Sequence, residues 1–440
     1  MSRINTNVAA MAALHRSQRN QNDLSVRLQR LSTGLRINRG ADDPAGLIVS
    51  ERLRMEIGGL GQAIDNSIRA SNVVTVAEGA LNEASALLLD LQQLVVATAN
   101  EAGLADEEVN ANQLQIDSIL ASLNRIAATT EFAGKKLLDG RQEYLTSGIP
   151  AAALPSVELF SAQVPTGGTR DVVVRVTQSA LTGRVALIGS NPTGVSTTSA
   201  TTVEFKGSLG STLLSFTSGT TLATIRTAVN AMSDVTGVTA VVSTAGVGGV
   251  ASALVLSSAS VGSDAFVSVE PLTGNLIQAG TAGTVLRNAG RDASVQVGGR
   301  PALVRGLQAD VRTSFLDARL FLSQSFAQTL SSATFTITGG GALFQLTPQL
   351  NPNGQISAGI QAVSTGQLGT PVTGRLFTLG AGGANDFASG NFEAAQRIVA
   401  EAISQVASQR ARLGNLQRNQ IEPSINSQRV TLENVTASES

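Results

Sequence analysis

The sequence predicts an α+β, multidomain protein: a long antiparallel helical bundle or coiled coil built from both termini, with a β-rich region inserted between them. Three observations predict it. The chain is 440 residues long, about three domains' worth of material. Its composition changes twice: Leu, Ala, Arg, Glu, Gln and Asn dominate to about residue 140, Val, Thr, Ser and Gly take over to about residue 383, and the first composition then returns. Apolar residues recur at helical spacing at both ends, whereas the middle holds short β-branched runs. The ends are therefore expected to fold together and the middle to project from them.

Leu24, Leu28, Leu31 and Leu35 alternate spacings of four and three, the seam of a coiled coil, within a first segment 1–42. Asp43 and Pro44 start the next helix: Asp caps free N–H groups, and Pro suits a first position that needs no N–H. That helix is predicted over 44–99, roughly 84 Å at ~1.5 Å per residue. Val74, Leu81, Leu88 and Val95 recur in it every seven residues, flanked by Ala77, Ala84 and Leu91. Gly58, Gly59 and Gly61 are its weak point, where it bends or admits a close neighbour. A helix over 107–128 follows on Val109, Ile116, Leu120 and Leu123, and the run 136–140 closes the block.

The returning helix, 394–440, carries Ile398, Ala402, Val406, Leu413, Leu416, Ile421, Ile425, Leu432 and Val435. Pro423 lies inside it and is expected to kink or break it. The discontinuous helical domain is thus 43–140 with 385–440, and 141–384 is the insertion. No Gly or Pro stop follows Val435, so a truncation at Ser440 is expected, with residues 1–35 lacking a partner of matching length. Within the insertion, strands are predicted over 171–177, 203–205, 213–216, 239–243, 254–257, 266–269, 294–297 and 334–338, with one helix at 222–232. The stretch of about 200–270 reads as a small α+β unit.

Composition removes whole classes of chemistry. There is no Cys, so no disulfide, thiol nucleophile or Cys-ligated metal, and His15 is the only imidazole. Net charge is −1 and aromatics are 3%, which offers nucleic acid neither a basic field nor a stacking platform. No run approaches the ~20 apolar residues of a membrane helix, and the start lacks a signal-peptide core. No nucleic-acid or membrane partner, metal or cofactor is expected.

The motifs that suggest chemistry have simpler explanations. GVGGVA at 246–251 fits a dinucleotide fingerprint, but a strand follows it rather than a helix N-terminus able to hold a pyrophosphate, so a Gly-rich hairpin turn is the better reading. Asp106, Glu107 and Glu108 are a helix cap with a favourable dipole interaction. Asn434-Val435-Thr436 matches a glycosylation triplet within a helix and is read as chance. The hydroxyl run 196–202 suits O-glycosylation or a solvated loop. No catalytic constellation survives. What survives is a chain with long heptad helices, 14% charged residues and packable surface, one that binds copies of itself.

STGLRINRGADDPAGLIVSERL at 32–53, VAEGALNEASALLLDLQQLVVATAN at 76–100, NRIAATTEFAGKKLLDG at 124–140 and the final segment 403–440 resemble bacterial flagellin. The stretch 203–270 is similar to the small α+β repeat found inserted in some flagellins and in the filament cap. The resemblance implies a structural subunit, not an enzyme, exported unfolded by the flagellar type III apparatus and polymerised outside the cell beneath the cap. It implies an innermost layer from 1–42, a next layer from 43–140 and 385–440, and an exposed outside from 141–384. Partners implied are the chain itself, the cap and hook-associated proteins, and the export apparatus. Flagellins continue past the residues matching 437–440 into a helix that pairs with the N-terminal one and binds the export chaperone. Asp90, Gln93 and Leu94 align with the segment read by the flagellin-sensing Toll-like receptor; receptor-stimulating members carry Arg and Glu at the first two, so weak or absent stimulation is expected. A hook–filament junction protein is the alternative within the flagellum, and a cell-surface adhesin the alternative of another class.

Overall fold

The fold was obtained as a computed structural model that describes residues 7–100, 103, 105–164, 168–188, 199–243, 253–274, 285–313 and 315–439. Its helices are α1 (Val8–Thr33), α2 (Pro44–Thr98), α3 (Asp106–Thr129), α4 (Leu222–Ala231), α5 (Ser233–Thr236), α6 (Gln324–Gln328), α7 (Phe392–Leu416) and α8 (Glu422–Glu439). Contacts divide the chain into one unit of 1–78, 343–356 and 410–440 and a second of 79–342 and 357–409.

Helix starts follow local chemistry. Asn7 accepts from Ala10 N at the head of α1, and Gly34 ends it with φ +71°. Asp43 Oδ1 accepts from Gly46 N at 2.9 Å, so the predicted Asp-Pro start forms. Glu108 reaches back to Ala105 N at 3.1 Å at the head of α3.

Along α2 the buried positions form one stripe: Leu60, Ala63, Ile64, Ser67, Ala70, Val74, Ala77, Leu81, Ala84, Leu88, Leu91, Val95 and Thr98. Ser67 and Thr98 bond their hydroxyls to their own helix, at Ala63 O and Leu94 O, so neither leaves a polar atom unpaired in the stripe. The helix runs unbroken through its glycines. Gly58 and Gly61 meet open space, and a side chain at Gly59 would sit 3.2 Å from Pro348 Cβ. Of the two expectations for this triplet, the close neighbour is found, at Gly59.

The helical course continues past Pro423, with a local interruption just before it. The chain forms a π turn at Gln417–Ile421, where Glu422 N donates to Gln417 O five residues back, and helix resumes as α8. The buried seam explains it. Steps of three and four through Ala402, Val406, Gln409, Leu413 and Leu416 are followed by a step of five to Ile421, then Ile425 and Gln428. A wider turn keeps those side chains on one face.

In the first unit, α2 runs antiparallel to α8. Arg54 meets Glu439 at one end, and Gln417 Nε2 donates to Ser71 Oγ at 3.2 Å at the other. Gln428 Nε2 donates to Leu346 O and to Ser424 Oγ, which docks the 343–356 segment on α8.

In the second unit the strands build four main antiparallel sheets. A five-stranded sheet (Arg300–Pro301, Ser294–Val297, Arg170–Gln178, Ser332–Gly340, Tyr144–Ser147) and a four-stranded one (Leu303–Arg305, Gln308–Arg312, Leu316–Phe321, Ser156–Ala162) share a core with Val174, Phe335 and Leu320. A second pair encloses Phe205, Ile225, Leu254 and Val267: Leu286–Ala289, Phe266–Thr273, Thr201–Lys206 and Ser211–Phe216 in one sheet, and Thr182–Ile188, Ala253–Val261 and Val238–Ser243 in the other, with α4 against them. All eight predicted strands and the 222–232 helix exist. The small α+β unit also takes in Thr182–Ile188 and Leu286–Ala289, beyond the predicted 200–270.

Candidate interaction surfaces of the helical region

Among the described residues no group of three or more His, Asp or Glu could hold a metal ion, and no helix is long and apolar enough to cross a membrane. His15 stands exposed on α1. The 246–251 glycine motif, and all of 196–202 but its last four residues, lie outside the described residues.

The predicted interface residues separate into three groups. Leu24, Leu28 and Leu31 are 57%, 56% and 82% exposed, Leu35 is also exposed, and α1 buries no residue. Val74, Leu81, Leu88 and Val95 are fully buried, as are Leu413, Leu416 and Ile425 to within 8%, and Leu432 is half-buried. Asp43 acts as a cap, with Arg36 at 3.8 Å, and Pro44 is exposed. Between α1 and α2 the Asp42 carboxylate accepts from Asn38 N and Arg39 N, pinning the turn.

Asp90 and Gln93 are exposed and Leu94 half-buried. With Ala97 they fall on one helical face at i, i+3, i+4 and i+7. Facing them are Gln115, Ser118 and Ile119 of α3, and the seven residues line a shallow groove of about 490 Å³. The α2 side of this groove was readable from the sequence; the α3 side was not. Sequence reasoning also missed Ile48, Val49 and Met55, which are exposed apolar residues on α2. Their signal is that they precede the buried stripe, which begins at Leu60, with Ile48 and Met55 also off its heptad phase.

Ion pairing in this region is light. Arg54 Nε lies 2.9 Å from Glu439 Oε1, and Ser50 Oγ approaches the same oxygen. The hydrogen bond and charge of Glu439 raise the Arg54 guanidinium above its ordinary value.

Comparison with known proteins bears on these helices directly. Residues 4–143 match the model of the bacterial flagellin N-terminal helical region. The first third of this chain is thus similar to the helical region of flagellins. Residues 202–260 match the flagellin hook IN motif, which falls within the small α+β unit. The flagellin of Clostridium tyrobutyricum is 40% identical over 156 residues, 36% of this chain and 41% of that protein. The flagellin of Bacillus subtilis (strain 168) is 41% identical over 140 residues, 31% of this chain and 46% of that protein. The chain therefore spans less than half the length of either of these curated relatives. Among solved structures, the flagellar hook associated protein-3 of Legionella pneumophila is similar over 88% of this chain and 97% of its own, at 10% identity and a TM-score of 0.33. The flagellin match ends at residue 143, just past the hairpin Glu131–Phe132 and Lys135–Lys136 that follows α3.

Proposed function

We propose that this chain is a structural subunit that self-assembles outside the cell into the bacterial flagellar filament and so serves swimming. The observation that carries it is the flagellin helical region at 4–143, in which α2 has a continuous buried stripe while α1 turns its leucines outward. An exposed apolar seam on a long helix is what a polymerising subunit offers its neighbours. In this reading the terminal helices make the filament core and 141–384 faces solvent. Partners are other copies, the cap and hook-associated proteins at the filament's ends, and the type III export apparatus, with no nucleic acid or membrane. The chain performs no catalytic step.

Immunogold electron microscopy of the source cells, with antibody raised against 150–380, tests the reading. Label along whole filaments is the expected result. A short band near the hook would favour a junction protein, and label on the envelope beside bare filaments would replace the assignment with an adhesin.

The groove at Asp90, Gln93 and Leu94 supports a second, narrower reading. Its exposed carboxylate stands where receptor-stimulating flagellins carry a cation, and a reversed charge at a contact opposes binding. Weak or absent stimulation of the flagellin-sensing Toll-like receptor follows.

A further inference from the structure

We propose that the edge of the strand Ser211–Phe216, which has no strand partner among the described residues, pairs antiparallel with the same strand of a second copy of this chain, centred on Leu213. The strand lies at one end of its four-stranded sheet and pairs with Thr201–Lys206 in an unbroken register, from Thr201 with Phe216 to Lys206 with Ser211. Gly207 N donates to Gly210 O at 2.9 Å across the end of that hairpin. This fixes the phase of the ladder. Thr212, Leu214 and Phe216 exchange hydrogen bonds with the neighbouring strand, and the N–H and C=O groups of Ser211, Leu213 and Ser215 point outward.

Three other described edges are blunted. Along Val238–Ser243, the Asn230 amide donates to Ala240 O at 3.0 Å and accepts from Ala240 N at 2.7 Å, occupying the outward groups there. The edge Arg300–Pro301 carries a charge and a proline, and Leu303–Arg305 is short and ends in a charge. Ser211–Phe216 has none of these devices, and no charged residue occurs in 207–220.

The outward set is also self-complementary. Ser-Leu-Ser at 211, 213 and 215 reads the same in both directions. A two-fold axis through Leu213 sets Leu213 against its copy and Ser211 against Ser215, so every outward N–H meets a C=O. All three side chains lie on the exposed face, so the pairing keeps exposed face with exposed face and brings two 60%-exposed leucines together. Such an edge buries less than the ~1,000 Å² of a stable interface. It is therefore weak between free chains and matters where copies are held at about millimolar effective concentration. The inference rests on this sheet alone and is independent of the filament reading.

The absence of native cysteine makes the test direct. Full-length Leu213→Cys and Val241→Cys, positions 60% and 61% exposed, are oxidised at about 1 mM chain. Disulfide-linked dimer from Leu213→Cys should exceed that from Val241→Cys by about tenfold. Adding Ser215→Lys to Leu213→Cys should return it to the control level, since like charges then flank the axis. Equal cross-linking at 213 and 241, or cross-linking at 213 unaffected by Ser215→Lys, would overturn the pairing.

Discussion

Arg54 on α2 and Glu439 on α8 form an ion pair at 2.9 Å, and through it the last turn of α8 is tied to the first turns of α2. The Glu439 side chain is 18% exposed and that of Arg54 45%, so the bond is only partly screened. Arg54→Ala is expected to speed amide exchange in 430–439 about two- to fivefold, while 410–416 stays unchanged. Hydrogen exchange read by mass spectrometry checks this, and equal acceleration in both segments would refute it.

The stripe on α2 makes neighbouring leucines unequal. Leu88 is fully buried and Leu89 is exposed. Leu88→Ala should cost about 3 kcal/mol of unfolding free energy, and Leu89→Ala should stay within about 0.5 kcal/mol. Urea titrations of the two variants compare them. Equal losses would mean that α2 does not present this face inward.

The π turn at Gln417–Ile421 coincides with the five-residue step between Leu416 and Ile421 in the buried seam, and we attribute it to that step rather than to Pro423. Pro423→Ala alone should therefore leave the wide turn in place. Deleting Asn419 in that background should convert it to ordinary α-helix while keeping Ile421, Ile425 and Gln428 buried. A crystal structure of each variant decides; an α-helical Pro423→Ala chain would show that proline was the cause.

Two carboxylates in the second unit should respond to pH with opposite signs. Partial burial raises the Asp292 pKa, but bonds from Ser263 Oγ, Gly306 N and Ser263 N outweigh it and hold the carboxyl below its ordinary range. Its contribution is present above the unfolded value and is lost as pH falls below about 4. Burial raises the Glu143 carboxyl, which the bond from Ala362 N at 2.6 Å does not offset. Its contribution is present below the unfolded value and is lost as pH rises through the raised one. At pH 7, Asp292→Asn should lower the melting temperature and Glu143→Gln should raise it, each by about 1–3 °C. Both differences should shrink toward pH 3.5. A Glu143→Gln chain less stable at pH 7 would reverse the assignment of that group.

In a receptor reporter-cell assay, this chain should be silent at about 1 nM, and Asp90→Arg with Gln93→Glu should restore signalling. Stimulation by the unmodified chain would show that the groove tolerates the reversed charge.

Much of the helical region was legible because a heptad stripe is written into the order of residues: the run from Val74 to Val95 needs no tertiary information. The role of Gly59 was not legible, since what stands against it is Pro348, distant in sequence. The strand Ser156–Ala162 was missed for a local reason. A register shift sets Ala318 opposite Leu159 and Asp317 opposite Ser161, so Leu159 and Phe160 are both buried and the alternation is lost. In Thr182–Ile188, Gly183 and Arg184 mask the signal, though Gly183 is there because Asn288 O and Phe266 Cα leave no room for a side chain. The division between the two units falls inside α2 and α7, where a continuous helix gives no change of composition to read. Of the groove, the α2 face could be named in advance, but its apposition to Gln115, Ser118 and Ile119 depends on packing.

Every seventh position of α2 from Ala63 through Ala70 and Ala77 to Ala84 is an alanine exposed by no more than 2%. Along this stretch the familiar ranking of core mutations inverts. Truncating a side chain there can remove only a methyl group, whereas Val or Leu, changes that a substitution table scores as mild, must displace close-packed neighbours. Natural variation in this part of the chain should accordingly tolerate Ser or Gly more readily than any larger hydrocarbon.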